Sequence, residues 1–220
     1  MLLVHEIGHS LTGKILGFSV KRIEIYPYGG CSKLEYDINT PIKKELLVLI
    51  MGPITQIIFV SIIYFVKLDV PNYFFIYHYF ILIFNLLPIY PLDGGRLLNL
   101  ILSYFVSYYR SLKWIFYFSY LLFIVLFNYF ILLNFNLLIF IILILLGIKI
   151  IKEIKQGEYY YQKFLIERYL NNYSFRKIKK INKLIEMKKN YYHYFVEDNN
   201  IVNEKEKLSS IFIENNKKIL

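Results

Sequence analysis

His5-Glu6-Ile7-Gly8-His9, close to the N-terminus, and Asn85-Leu86-Leu87-Pro88-Ile89-Tyr90-Pro91-Leu92-Asp93-Gly94-Gly95-Arg96, further along the chain, are the two stretches on which the fold and the chemistry turn. Residues four apart in a helix share a face, so His5 and His9 can direct ring nitrogens at one metal ion while Glu6 travels beside them. A catalytic zinc keeps three protein ligands and one open position, and water bound there has its pKa lowered to roughly 7, within reach of a carboxylate base. Asp93 is the expected third ligand, because an ionised carboxylate in an apolar stretch is costly unless a cation or hydrogen-bond donors compensate it. The expected chemistry is zinc-dependent hydrolysis, with Glu6 as general base and His5, His9 and Asp93 as metal ligands.

Both stretches sit in membrane-grade sequence. Of the 220 residues 57% are hydrophobic and the mean hydropathy is +0.44, which excludes an ordinary soluble domain and predicts an all-α polytopic membrane protein. About five transmembrane or re-entrant helices are expected. Residues 2–18 hold the His-Glu pair, residues 45–66 form a span with Gly52-Pro53 marking a kink or a close helix contact, and residues 73–87 run apolar until Pro88 and Pro91 break the helix. Gln56, one turn beyond the Gly-Pro pair, is expected to face protein. An interfacial helix resumes at Arg96 and runs to Tyr109, and two more spans follow at residues 112–130 and 131–149, with Asn128, Asn134 and Asn136 near their turn. Residues 20–36, with Pro27 and Gly29-Gly30, read either as a small β-hairpin or as a re-entrant loop.

The net charge of +10 does not point to nucleic acid, since its Lys and Arg residues fall between apolar spans and in the last third of the chain. No nucleic-acid partner is expected. Lys21, Arg22, Lys33, Lys43 and Lys44 in one connection, Arg110 and Lys113 in another, and the basic C-terminal region all belong on the cytoplasmic side by the positive-inside rule. That placement starts the first helix outside the cytoplasm, so a further N-terminal helix is expected ahead of Met1. The division predicted is a membrane-embedded catalytic domain over residues 1–150 and a basic cytoplasmic tail, a reduced regulatory domain, over residues 151–220. The lone Cys31 excludes an intramolecular disulfide. His78 and His193 have no partner at metal spacing and read as structural.

The two metal motifs together resemble those of the site-2 protease family, M50-type zinc intramembrane metalloproteases. Tyr26-Pro27-Tyr28-Gly29-Gly30, residues 44–56 with their Gly-Pro, and Phe164-Leu165-Ile166-Glu167-Arg168-Tyr169 resemble its sporulation branch. The resemblance implies that His5, His9 and Asp93 bind zinc, that Glu6 activates water, that Asn85 positions substrate, and that the hairpin lies beside the active site. For Asn85 the residue itself leaves a second reading open, an amide that satisfies the broken helix. The implied activity is an endopeptidase cutting within or near a membrane segment of a regulatory protein such as a sigma-factor precursor. The implied partners are the bilayer, a membrane-associated substrate and an inhibitory membrane protein, and the implied location is the bacterial cell membrane. The chain departs from the family in lacking its first helix, a full pair of nucleotide-sensing CBS repeats and a PDZ-like insertion. Two other classes remain as alternatives: a metal transporter, which needs polar groups continuing across the bilayer, and a catalytically impaired scaffold, against which the retained ligands speak.

Overall fold

The first helix carries its polar residues inward and its large apolar residues outward. In α1 (Leu2–Ile15) His5, Glu6, Gly8, His9, Thr12 and Gly13 are buried, whereas Leu3, Ile7, Leu11 and Ile15 are exposed. A helix in water does the reverse; α1 turns its polar side to protein and leaves its apolar side uncovered. A computed structural model describes residues 1–26, 29–133, 136–197 and 200–217. Pro27, Tyr28 and Asn134 of the sequence reading lie outside them, as does the Cys31 side chain.

Gly17, at φ +85, turns the chain out of α1 into β1 (Ser19–Tyr26), which pairs antiparallel with β2 (Gly29–Glu35). The stretch left open between hairpin and loop is therefore a hairpin, with Tyr26 opposite Gly29. Pro41 and Pro71 precede α2 (Ile42–Phe65) and α3 (Asn72–Leu86) at the helix entrance, where a missing N–H is harmless. Then come α4 (Asp93–Phe105), α5 (Tyr108–Leu133) and α6 (Leu137–Leu170). Asn136 caps α6, its Oδ1 accepting the N–H groups of Leu138 at 2.9 Å and Ile139 at 3.3 Å.

Among the described residues two helices are long and apolar enough to cross a membrane, Ile42–Phe65 and Tyr108–Leu132, with Asn72–Leu86 as a shorter apolar helix. The protein is mostly helical, as expected, but three details differ. The interfacial helix begins at Asp93 rather than Arg96. The helix expected to end at Phe130 runs on to Leu133, and the next begins at Leu137 rather than Ile131. And α6 runs unbroken through the change of composition at residue 150, because Lys, Glu, Gln and Tyr are compatible with helix and nothing near residue 150 breaks it.

The C-terminal region also corrects the all-α expectation. It holds a three-stranded sheet of β3 (Lys177–Ile181), β4 (Tyr191–Glu197) and β5 (Asn200–Asn203), followed by α7 (Glu204–Lys217), with β3 parallel and β5 antiparallel to β4. Phe164, Leu165, Ile181, Met187, Phe195 and Leu208 form its core and pack directly on Tyr108, Leu112, Ile115 and Phe116 of α5. Each fully buried Phe there contributes about 1.5–3 kcal/mol. The Tyr108 N–H also donates to the Met187 carbonyl at 3.0 Å. The basic region is thus docked on the helices through a shared core.

At the centre of that dock lies Arg168, 2% exposed. Its Nε donates to Asn39 Oδ1, its Nη1 to Glu204 Oε1 at 3.1 Å and the Tyr191 carbonyl at 2.9 Å, and its Nη2 to the Lys188 and Lys189 carbonyls at 3.0 and 2.7 Å. A guanidinium is buried without penalty only when its fixed fork of donors is filled in this way.

His193 is buried in the same unit. The Lys188 N–H donates to its Nε2 at 3.0 Å and its Nδ1–H donates to Glu204 Oε2 at 2.9 Å. Burial holds its pKa below the ordinary 6.5, against the opposing pull of Glu204. The unfolded chain therefore takes up a proton in a range where the folded unit refuses it, so stability contributed by this site falls as pH falls from that ordinary value. Thermal melting followed by near-ultraviolet circular dichroism should drop on acidification from about pH 7.5 to 5.5, and His193→Gln should flatten the dependence. An unchanged slope in the variant would assign the effect elsewhere.

Candidate metal centre

The two histidines owe their position to glycines on the neighbouring helix and on their own. A Cβ on Gly8 would lie 2.1 Å from Thr55 Oγ1, and one on Gly52 would lie 2.3 Å from His9 Nε2. Neither a methyl group nor anything larger fits, so α1 and α2 meet backbone to backbone and the His9 ring occupies the space above Gly52. Of the two readings of Gly52-Pro53, close helix contact is the one realised at Gly52.

Asp93 arrives from the other side. Pro88 and Pro91 remove two N–H donors after α3, and the intervening chain turns back so that α4 starts against it. A Cβ on Gly94 would come within 2.1 Å of the Leu86 carbonyl oxygen. The non-helical segment is satisfied by protein: the Tyr90 N–H donates to Ser119 Oγ of α5 at 2.8 Å and the Leu92 N–H to the Ile89 carbonyl at 2.8 Å. Unwound backbone at membrane depth persists only under such cover.

These elements bring together the three predicted ligands. His5 Nε2 lies 2.8 Å and His9 Nε2 3.1 Å from Asp93 Oδ2, and the two Nε2 atoms are 3.1 Å apart. Hydrogen-bond polarity decides what these atoms are. The Val48 carbonyl can only accept, so His9 Nδ1, 2.8 Å away, carries the proton, and in the neutral ring Nε2 keeps its lone pair. The His78 carbonyl likewise fixes the Gln56 amide, whose Nε2 donates to it at 3.1 Å and also lies 3.1 Å from His78 Nδ1. Gln56 Oε1 must then face His5, whose Nδ1–H donates to it at 3.0 Å, leaving His5 Nε2 as an acceptor too.

Three acceptors converge where each repels the others unless a cation joins them, and the set of two imidazoles and one carboxylate is a donor set that zinc takes. His5, His9 and Asp93 could therefore hold it. Glu6, 3% exposed, and Asn85, 5% exposed, line one cavity of about 1220 Å³ together with His9 and Asp93. Asp93 is the most open of the three, its side chain 17% exposed towards that cavity. Of the five residues singled out in the sequence, His5, His9 and Asp93 converge, and Glu6 and Asn85 line the same cavity as His9 and Asp93. Sequence reading missed the orienting role of Gln56, taken only to face protein, and it missed the Val48 carbonyl, for which no side chain gives a signal. His78 ends the chain of hydrogen bonds that starts at His5 and passes through Gln56.

Residues 1–72 match the model of peptidase family M50. The chain is 32% identical over 184 residues to stage IV sporulation protein FB of Bacillus subtilis, covering 77% of this chain and 61% of that protein. It is 31% identical over 121 residues to a zinc metalloprotease of Methanocaldococcus jannaschii, covering 51% of this chain and 35% of that one. Among solved structures, the site-2 protease from Methanocaldococcus jannaschii matches with a TM-score of 0.50 at 25% identity, over 80% of this chain and 78% of that one. The chain therefore spans about three fifths of its sporulation relative and about a third of its archaeal zinc metalloprotease relative. Zinc is the cofactor implied both by these relatives and by the donor set.

Gly52→Ala should push the His9 ring out of line and lower zinc retention, measured as metal content after dialysis against a weak chelator. Gln56→Leu, which leaves His5 Nδ1 without its acceptor, should lower metal affinity about 10–100-fold. Wild-type affinity in the second variant would remove Gln56 from the ligand support.

Proposed function

We propose that the chain is a member of the site-2 protease family, peptidase family M50, and a zinc-dependent endopeptidase acting within or near a membrane segment of a regulatory protein. The observation that carries this reading is the enforced convergence of three acceptors beside a buried carboxylate, Glu6. Bound there by His5, His9 and Asp93, zinc supplies Lewis-acid polarisation of a peptide carbonyl and acidifies water.

Glu6 takes a proton from the attacking water and delivers it to the amine that leaves as the C–N bond breaks, so the carboxylate returns to its starting state. The His5 and His9 rings keep their Nδ1 protons throughout, tied to Gln56 and the Val48 carbonyl, and so stay aimed at the metal. Asn85, at the end of α3 where the helix unwinds, holds the backbone of the substrate in the cavity. The cavity admits water to a site otherwise enclosed by apolar helices. In the sporulation branch the substrate is a membrane-associated sigma-factor precursor, and an inhibitory membrane protein is the partner that restrains the enzyme. The first two basic connections and the C-terminal unit face the cytoplasm, and residues 151–220 act as a reduced regulatory domain on a catalytic domain of residues 1–150.

Glu6→Gln should abolish cleavage of such a precursor, by about 10²–10⁴-fold or more, with zinc content unchanged, because Glu6 is not a ligand. Asp93→Asn should lower zinc content and turnover together. Cleavage that survives Glu6→Gln at wild-type rate would refute the assignment of the base, and full zinc in Asp93→Asn would take Asp93 out of the ligand set.

A further inference from the structure

Lys189 lies in a region whose composition marks it as solvated, yet it is 2% exposed and its ammonium group is paired with the carboxylate of Glu45, itself 7% exposed. The pair joins the C-terminal unit to the first turn of α2. Both residues line the same cavity as Glu6 and His9. One turn further along α2, the Val48 carbonyl fixes the proton on His9 Nδ1 at 2.8 Å. On the opposite side, the backbone at Lys188 and Lys189 is gripped by Arg168 Nη2 at 3.0 and 2.7 Å, and Arg168 is in turn held by Glu204 and Asn39.

A buried ion pair contributes little net stability, because desolvating two charges offsets their attraction. What it fixes is geometry, since either partner alone is left as an uncompensated buried charge. Here the geometry fixed is the position of the first turn of α2 against the C-terminal unit. The path from Glu204 and Arg168 through Lys189 and Glu45 to Val48 and His9 consists of direct contacts apart from one turn of helix, whose hydrogen bonds make it stiff.

We infer that Lys189 and Glu45 are positioning residues of the metal centre: the docked C-terminal unit completes the cavity wall and holds the first turns of α2 where Val48 meets His9. This rests on the hydrolase reading only for its effect on turnover. The C-terminal unit is accordingly a working part of the site, and anything that undocks it slackens the second ligand.

The test uses the full chain in lipid nanodiscs, comparing wild type with Lys189→Met, Lys189→Arg, the near-isosteric Glu45→Gln and the exchanged pair Glu45→Lys with Lys189→Glu. Hydrogen exchange over residues 45–52 is measured in the metal-free chain, the visible spectrum is recorded with Co²⁺ in place of zinc, and kcat and KM are measured on a membrane-anchored precursor. Lys189→Met and Glu45→Gln should speed exchange over residues 45–52 and alter the cobalt bands. They should lower kcat about tenfold or more while KM changes far less, and Lys189→Arg should restore most of each signal. The exchanged pair should recover part of the loss. Should Lys189→Met fold poorly, Glu45→Gln and Lys189→Arg carry the comparison. Wild-type exchange and wild-type cobalt bands in Lys189→Met or Glu45→Gln would overturn the inference. A wild-type chain that takes up neither cobalt nor zinc would instead overturn the hydrolase reading, and the exchange data from the metal-free chain would still decide whether Lys189 holds α2.

Discussion

Two imidazole nitrogens, which present lone pairs when the rings are neutral, and one carboxylate oxygen stand within 3.1 Å of one another among buried side chains. Left alone, such a cluster repels itself, and in a medium of low dielectric the repulsion is strong. Everything nearby is arranged so that it cannot relax. Gln56 and the Val48 carbonyl hold the imidazole protons on the far side, Gly52 gives the His9 ring its place, and the returning chain at Gly94 brings Asp93 in from above. A divalent cation would turn that conflict into cohesion and tie α1 to the start of α4.

The lipid-facing logic of the helices follows from the same need. A site that works with water must be polar, and in a membrane the only place for polar groups is between helices. Hence α1 buries His5, Glu6 and His9 and exposes leucine and isoleucine, and α2 buries Gln56 while exposing Ile54, Ile57 and Ile58. The broken segment between α3 and α4 is the exception in backbone rather than side chain, and Ser119 of α5 supplies the acceptor it lacks.

How much of this could be read beforehand depended on whether side chains or backbone carried the signal. The His-Glu pair, Asp93 and the break at the prolines have side-chain signatures at fixed spacing and were legible, whereas the hairpin and the tight contact at Gly52 were each legible only as one of two readings. The Val48 carbonyl has no signature at all. Gln56 was recognised as facing protein, but its partner was hidden because His78 lies on a different helix, far along the chain. The buried charges of the C-terminal unit were hidden for another reason: composition counts charges without revealing which of them are paired, and Arg168, Lys189 and Glu204 are each buried by their partners. The short strands there alternate Lys with Ile or Tyr with His and Phe, too brief a pattern to stand out beside so much helix.

The 34 residues of α6 form one uninterrupted rod about 50 Å long, apolar at one end and packed into the C-terminal unit at the other. Along it Lys149, Lys152, Gln156 and Lys163 form part of the cavity wall. Because one continuous helix supplies part of the cavity wall and, through Tyr161, Phe164 and Leu165, part of the C-terminal core, neither can slide along its axis without the other, and the two ends of the chain keep a common register.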